Sequence, residues 1–394
     1  MRRSLEAVSN LRVALFTECY HPIRNGIVAS LDTLADALCA RGHEALFVTP
    51  GMPAYRDERR DVIRLPSLPL PTRTAYRLTV PLLPRTLGKL SIVHTHSPFV
   101  TGWLGARAAR QANVPLVFTY HTQLEEYTHY VPFETRATRR AATQLTRRYA
   151  NATDAVIVPT AAMERRLRAL GVRTRIEVIP SGIDVARFAR GRRSDALRAR
   201  LGVGAHEKMV LCVGRLGREK NLELAIEAFA RLGDSAARLV VVGDGPHRQA
   251  LERFVRLAGV ATRTRFGGEF GRDALPDAYA SADAFVLPSS SETQGLVLVE
   301  ALAAGAPIVA VDTPQTRDVL DGAGEIVPSD ARSLAAGLGR VLREGGVDAA
   351  HRAAVAARFD GAALGDLAIA LYRSLLDPGG PPVAEPARAV ASRA

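Results

Sequence analysis

The stretch from Ala284 to Val311 restricts the fold more than any other part of the chain. Ala284-Phe285-Val286-Leu287-Pro288 is a short apolar run stopped by proline and reads as a buried strand. Ser289 to Gly295 is a loop, and Leu296 to Leu302 reads as a short helix that is apolar almost all round. Ala303-Ala304-Gly305-Ala306-Pro307 stops that helix, and Ile308-Val309-Ala310-Val311 is a second buried strand. Strand, loop, helix and strand in that order, with continuous apolar strands, require a parallel sheet covered by helices on both faces.

Two acids lie in this stretch. Glu292 sits in the loop near the helix start, and Glu300 lies one to two turns inside the helix. A carboxylate buried there is costly unless something pairs with it or hydrogen-bonds it. The free N–H groups around Gln294, Gly295 and Leu296 form a ready anion site. Ser289-x-x-Glu292 also fits a capping box, a purely structural role. Capping explains neither Glu300 nor the glycine at the helix entry. Acids flanking an anion site suit a ligand with phosphates in the middle and hydroxyls at both ends, the layout of a nucleotide-sugar.

The same alternation runs through the chain. Leu11 to Phe16 is a strand; the helix after it carries Val28, Leu31, Leu34, Ala35 and Leu38 and closes at Arg41-Gly42; Ala45 to Thr49 is the next strand. Gly26, at the strand-to-helix junction, is either a ligand-approach glycine or a plain turn glycine. The junction is not the GxGxxG dinucleotide fingerprint. His94, His96 and His121 fall at strand C-terminal ends, where open α/β sheets bind ligands. No cysteine or acid stands at ligand spacing from them, so no metal is expected. Residues 66–90 mix apolar residues, prolines and cations, Tyr76 and Arg77 among them, and either pack on their own domain or enter a membrane interface. Residues 134–149 read as an amphipathic helix with Phe133, Ala137, Ala141 and Leu145 as its apolar stripe. Its Arg136, Arg139, Arg140, Arg147 and Arg148 form a solvated face or a surface for anionic headgroups. Past a boundary near residue 180 a second βα series begins. Its loop after Val210–Gly214 places Arg215 and Lys220 either as a diphosphate clamp or as solvated cations.

A chain of 394 residues with no run of apolar residues long enough to span a bilayer reads as two globular domains. The net charge of +12 is uneven. Residues 1–180 hold 25 Lys and Arg against 14 Asp and Glu, a net of +11; the remainder holds 27 against 26, a net of +1. That asymmetry points to an anionic surface, nucleic acid or membrane. Cys19, Cys39 and Cys212 are too few and scattered for a disulfide framework, and the N-terminus lacks an apolar leader, so a cytoplasmic location is expected.

Four motifs taken together resemble a known family. Asn25-Gly26-Ile27, Thr119-Tyr120-His121-Thr122, Gly214-Arg215-Leu216-x-x-Glu219-Lys220-Asn221 and Ser291-Glu292-Thr293-Gln294-Gly295-x-x-x-x-Glu300-Ala301 resemble a retaining glycosyltransferase of family four. The resemblance covers roughly residues 11–376. It implies the GT-B fold: two doubly wound Rossmann-like domains facing a cleft, an acceptor domain at 1–180 and a donor domain at 181–361. A helix at 362–376 would cross back, ahead of a disordered tail at 377–394. It also implies roles. Arg215 and Lys220 would hold the donor diphosphate, with Asn25, Gly26 and the amides at Gly295 and Leu296 completing the anion site. Glu292, beside Thr293 and Gln294, would contact the transferred sugar, Glu300 the ribose, and His121 the sugar and acceptor. Gly267 and Gly268 would shape the donor pocket. No metal or other cofactor is implied, and no covalent nucleophile.

His94-Thr95-His96-Ser97-Pro98-Phe99 and the segment from Tyr120 to Tyr130, with Tyr127, resemble a narrower branch. That branch glucosylates diacylglycerol or mannosylates phosphatidylinositol at the inner face of the cytoplasmic membrane. It implies a nucleotide-sugar donor of UDP-glucose or GDP-mannose type, a lipid acceptor held near His96 and Tyr127, and a membrane surface met by Tyr76, Arg77 and the arginine helix. Many relatives carry paired glycines where Asn25-Gly26 stands and an aromatic where Gln294 stands. The competing readings are the same chemistry on a soluble acceptor and, remotely, a nucleic-acid-binding protein. The arginine helix lacks the interleaved aromatics that the last would need.

Overall fold

The computed structural model describes residues 10–59, 61–70, 76–84, 87–130 and 135–377, the side chains of 128–130 excepted. The chain divides after Gly182 and after Asp360: the segments outside those points form one compact unit, Ile183–Asp360 the other. Residues 378–394 of the predicted tail, Glu134, Phe133, Arg73 and Arg85 lie outside the described residues.

The first unit is built on a seven-stranded sheet whose order is Val62–Leu65, Glu44–Pro50, Arg12–Phe16, Ile92–Thr95, Leu116–Thr119, Ala155–Val158, Arg175–Val178. Every pairing in it is parallel. The order reverses between Arg12–Phe16 and Ile92–Thr95, so the loops after these two strands flank the crevice where such sheets bind ligands. Asn25 caps the helix Gly26–Ala40 by accepting from Val28 N at 2.9 Å. The last helix, Gly361–Leu376, lies against that helix within the same unit, closely enough that a Cβ on Gly365 would come within 2.3 Å of Ala37 Cβ. Ile369, Leu371 and Tyr372 share a core with Leu31 and Leu38.

One expectation, the apolar stripe of the arginine helix, needs correction. Residues 66–90 contain an antiparallel pair, Ser67–Pro69 with Arg77–Thr79. Its cross-strand partners Leu68 and Leu78 stay 57% and 49% exposed, and Leu82 is 59% exposed. Arg77 turns back to Ser67, Nε to Oγ at 2.9 Å and Nη2 to the carbonyl at 2.9 Å. The arginine helix spans Arg136–Ala150 and starts from a Thr135/Thr138 capping box. It buries Thr146, Tyr149 and Ala150, while Ala137 and Ala141 are exposed. Tyr149 sets this rotation: its hydroxyl bonds Thr95 Oγ1 at 2.9 Å and the Gly102 carbonyl at 2.8 Å, and its ring meets Phe118 and Trp103 edge-on. A buried aromatic with two hydrogen bonds outweighs a stripe of alanines.

The second unit holds a six-stranded parallel sheet ordered Thr264–Gly268, Ala237–Val242, Lys208–Val213, Ala284–Leu287, Ile308–Val311, Glu325–Val327. Its order reverses between Lys208–Val213 and Ala284–Leu287. The loops that follow those strands carry Arg215 and Lys220 on one side and Glu292 on the other.

Candidate active-site residues in the two units

In the second unit the two switch-point loops are tied together. Ser289 Oγ and Ser291 Oγ donate to the Glu219 carbonyl at 3.3 and 2.9 Å. Ser289 is therefore no helix cap; the helix begins at Leu296, behind Gly295, and Gly295 supplies no side-chain cap. Gly295 holds φ +78°, ψ +74°, the left-handed region that costs a Cβ-bearing residue about 1–2 kcal/mol. The backbone turn, not capping, is why glycine stands there, and it leaves the first helical N–H groups without a side-chain partner.

Across this turn Lys220 Nζ meets Glu292 Oε1 at 2.8 Å, both side chains largely buried at 23% and 16% exposure. Arg215, half-buried, stands on the same loop as Lys220. A lysine ammonium carries three donors, so a bond to Glu292 is compatible with bonds to phosphate. Thr293 is half-buried and Gln294 is buried. The neighbouring loop is stitched in by backbone: Gly243 N donates to the Gly268 carbonyl at 2.8 Å, and a Cβ on Gly243 would sit 1.9 Å from the Gly214 carbonyl oxygen. Gly267 lines a cavity of about 430 Å³ with Arg200, Arg265, Phe266 and Phe270.

Glu300, the fifth residue of Leu296–Ala303, solves its burial through a residue that sequence reasoning missed. Tyr279, fully buried on Leu275–Ala280, donates its hydroxyl to Glu300 Oε2 at 2.6 Å. Burial still pushes the Glu300 carboxyl up to about 7, outweighing that hydrogen bond. A raised acid pKa means that the folded state binds a proton more tightly than the unfolded chain, so this group's contribution to stability falls as pH rises towards 7. Glu300→Gln should therefore stabilise the unit by about 1 kcal/mol at pH 8, discounted for the partial exposure of the group. It should change little at pH 5, while weakening nucleotide binding. Thermal melts of both proteins at the two pH values, with a nucleotide titration, check this.

In the first unit three histidines come together. His94 is buried between Tyr372, whose hydroxyl lies 2.7 Å from Nδ1, and Thr119, whose Oγ1 lies 2.7 Å from Nε2. His96 stacks near it, ring centroids 4.2 Å apart, and its Nδ1 lies 2.9 Å from His121 Nε2. Burial holds all three rings neutral: His94 is lowered to about 3, His121 to about 4, and His96 falls well below the ordinary value. His96, placed near the acceptor in the sequence reading, is only 4% exposed and touches His121. Tyr127 is half-buried in the turn Leu124–Tyr130. Tyr76 is joined to Asn25, whose Nδ2 donates to the tyrosine hydroxyl at 3.1 Å. Gly26 is exposed at the helix start. Glu18 was also missed: its Oε1 accepts from Thr101 N at 2.8 Å, capping the helix Val100–Ala112, which Phe99 cannot cap. Arg136, Arg139 and Arg140 are exposed.

With the geometry in view, comparison with known proteins is direct. The profile described as Glycosyltransferase Family 4 matches residues 24–187, and that of Glycosyl transferases group 1 matches residues 194–358. An alpha-monoglucosyldiacylglycerol synthase of Streptococcus pneumoniae is 33% identical over 322 residues, covering 79% of this chain and 73% of that protein. A GDP-mannose-dependent alpha-mannosyltransferase of Mycobacterium tuberculosis is 35% identical over 323 residues, covering 79% of this chain and 81% of that protein. Among solved structures, Anabaena HepE in complex with UDP and glucose superposes with a TM-score of 0.75 at 19% identity, over 92% of this chain and 100% of that one. The sucrose-phosphate synthase of Thermosynechococcus elongatus gives 0.74 at 24% identity, over 93% and 99%. Both place the fold. Two parallel doubly wound sheets, switch-point loops bearing cations and acids, and relatives of this identity and coverage lead to one assignment: the chain belongs to glycosyltransferase family 4, with the GT-B fold.

Proposed function

We propose that this glycosyltransferase moves a hexose from a nucleotide-sugar to a hydroxyl of a membrane lipid, with retention at the anomeric carbon and without a resident metal ion. The Lys220–Glu292 pair beside the uncapped helix start at Gly295 carries the reading. The diphosphate is held by Arg215, Lys220 and the amides at Gly295 and Leu296, whose positive charge stabilises the departing nucleotide. Glu292 accepts from hydroxyls of the sugar and Glu300 from those of the ribose. Glu292, engaged by Lys220, acts as a hydrogen-bond acceptor rather than a nucleophile, so the acceptor attacks from the leaving-group face and its proton passes to a donor phosphate oxygen. Two protein cations do the work that a divalent ion does elsewhere.

The acceptor class follows from the relatives, which are named for glucosyldiacylglycerol synthesis and for mannosyl transfer to a phosphatidylinositol dimannoside. Features of the first unit agree with it: a net surplus of +11 over residues 1–180, exposed Arg136, Arg139 and Arg140, and exposed Leu68, Leu78 and Leu82. No described helix is long and apolar enough to cross a membrane, so the attachment proposed is peripheral. Replacing Arg136, Arg139 and Arg140 by Gln should weaken binding to anionic vesicles about a hundredfold at low salt, at about 1 kcal/mol per cation. Leu68→Asp with Leu78→Asp should weaken it at every salt concentration. Co-sedimentation measures both; binding unchanged in all variants would remove the membrane from the proposal and leave a soluble acceptor.

A further inference from the structure

The contacts with sugar and acceptor that the family resemblance implies for His121 depend on which of its nitrogens carries the proton, and a second histidine bears on that. The 2.9 Å contact between His96 Nδ1 and His121 Nε2 holds a single proton. If His121 donated it, the neutral His96 ring would carry its own proton on Nε2. That nitrogen is buried and has no hydrogen-bond partner. A buried N–H without an acceptor is the rarer and costlier defect. If His96 donates instead, only a bare lone pair is buried, and the His121 proton is left on Nδ1.

We infer that His96 is a positioning residue: its Nδ1–H fixes His121 as the Nδ1–H tautomer, which makes Nδ1 the donor side of the His121 ring. The inference rests on the proposed transfer reaction, with His121 in the sugar- and acceptor-contacting role that the family resemblance implies. The ring is held on its other side as well. His96 packs on His94, whose two nitrogens are both occupied, one by Thr119 and the other by Tyr372 from the helix Gly361–Leu376. His96 therefore cannot swing away from His121 without breaking a packed row of three rings, and moving its own proton to the other nitrogen would bury an unpartnered N–H.

Two readouts separate the inference from the catalytic reading. Nitrogen-15 spectra of the full-length protein with labelled histidine should show His121 protonated at Nδ1 and bare at Nε2, whether or not the protein transfers any sugar. In His96→Leu, which removes the donor and also the unpartnered Nε2, the protein should stay folded and His121 should become a mixture of tautomers. Its kcat should fall about ten- to a hundredfold, with the donor KM nearly unchanged. His96→Asn places an amide N–H where Nδ1 stood and should restore both the tautomer and most of kcat. A His121 proton on Nε2 in the wild-type protein would overturn the inference outright. So would His96→Asn and His96→Leu behaving alike. A correct tautomer in a protein that transfers nothing would instead sink the proposed reaction and leave the tautomer assignment standing.

Discussion

Lys220→Met should lower kcat/KM for sugar transfer by about 10²–10³-fold, the usual cost of removing one preorganised positive donor from developing negative charge. It should also destabilise the second unit. Glu292 is 16% exposed and would lose the cation 2.8 Å away, a loss of about 1–3 kcal/mol for a charge left without that partner. Glu292→Gln should lower activity comparably, because a neutral amide accepts more weakly from sugar hydroxyls. The double variant separates the two effects. With both charges gone no unpaired ion remains, so stability should return most of the way to wild type while activity stays lost. Arg215→Ala should cost activity on the same scale. Kinetics at saturating donor together with urea unfolding measures both axes. Recovery of activity along with stability in the double variant would show that the pair is merely structural.

The second large effect is on acid stability. A histidine lowered in the folded state is charged more readily in the unfolded chain, whose ordinary value is about 6.5. Its contribution to stability is therefore fully present above pH 6.5 and is lost as pH falls through the folded value, about 3 for His94. With a limiting slope of about 1.36 kcal/mol per pH unit, His94 alone should remove about 1–2 kcal/mol between pH 6.5 and 5, and His96 and His121, lowered in the same sense, add to the loss. The first unit should thus soften steeply in mild acid. The second should not follow it, since Glu300 changes in the opposite sense over the same range. Hydrogen exchange read by peptide at pH 7 and pH 5 resolves the units. His94→Gln should flatten the loss in peptides spanning Ile92–Thr95 and Gly361–Leu376. Equal softening of both units would contradict this assignment.

The central strands were legible because each is a short apolar run buried on both faces, as Leu239–Val242 and Ile308–Val311 are. The edge strands Val62–Leu65 and Glu325–Val327 were not read, since an edge position leaves them only partly buried and removes that signal. The arginine helix was found with its rotation wrong: periodicity ranks alanines as a stripe, whereas the hydrogen bonds of Tyr149 turn the helix. Ser289-x-x-Glu292 matched a capping box by spacing alone, but the chain turns at Gly295 and the helix starts too late for it. Lys220 and Glu292 were each singled out, yet their contact depends on two strands becoming neighbours only in the sheet. The histidine row has the same origin. His94, His96 and His121 meet because Thr95 pairs with Phe118 in adjacent strands, and Tyr372 reaches them from the far end of the sequence. Tyr279 beside Glu300 carries no sequence signature at all.

The most direct test of the proposed reaction is transfer itself. Full-length protein would be incubated with UDP-glucose or GDP-mannose and vesicles containing diacylglycerol or phosphatidylinositol, in EDTA, with the anomeric configuration of the product read by NMR. The expected result is an α-linked glycolipid formed from an α-linked donor, undiminished by EDTA, dependent on vesicles and abolished in Glu292→Ala. A β-linked product, or activity lost to EDTA and restored by a divalent ion, would contradict the mechanism. No transfer and no binding of either nucleotide-sugar at millimolar concentration would contradict the proposed function as a whole.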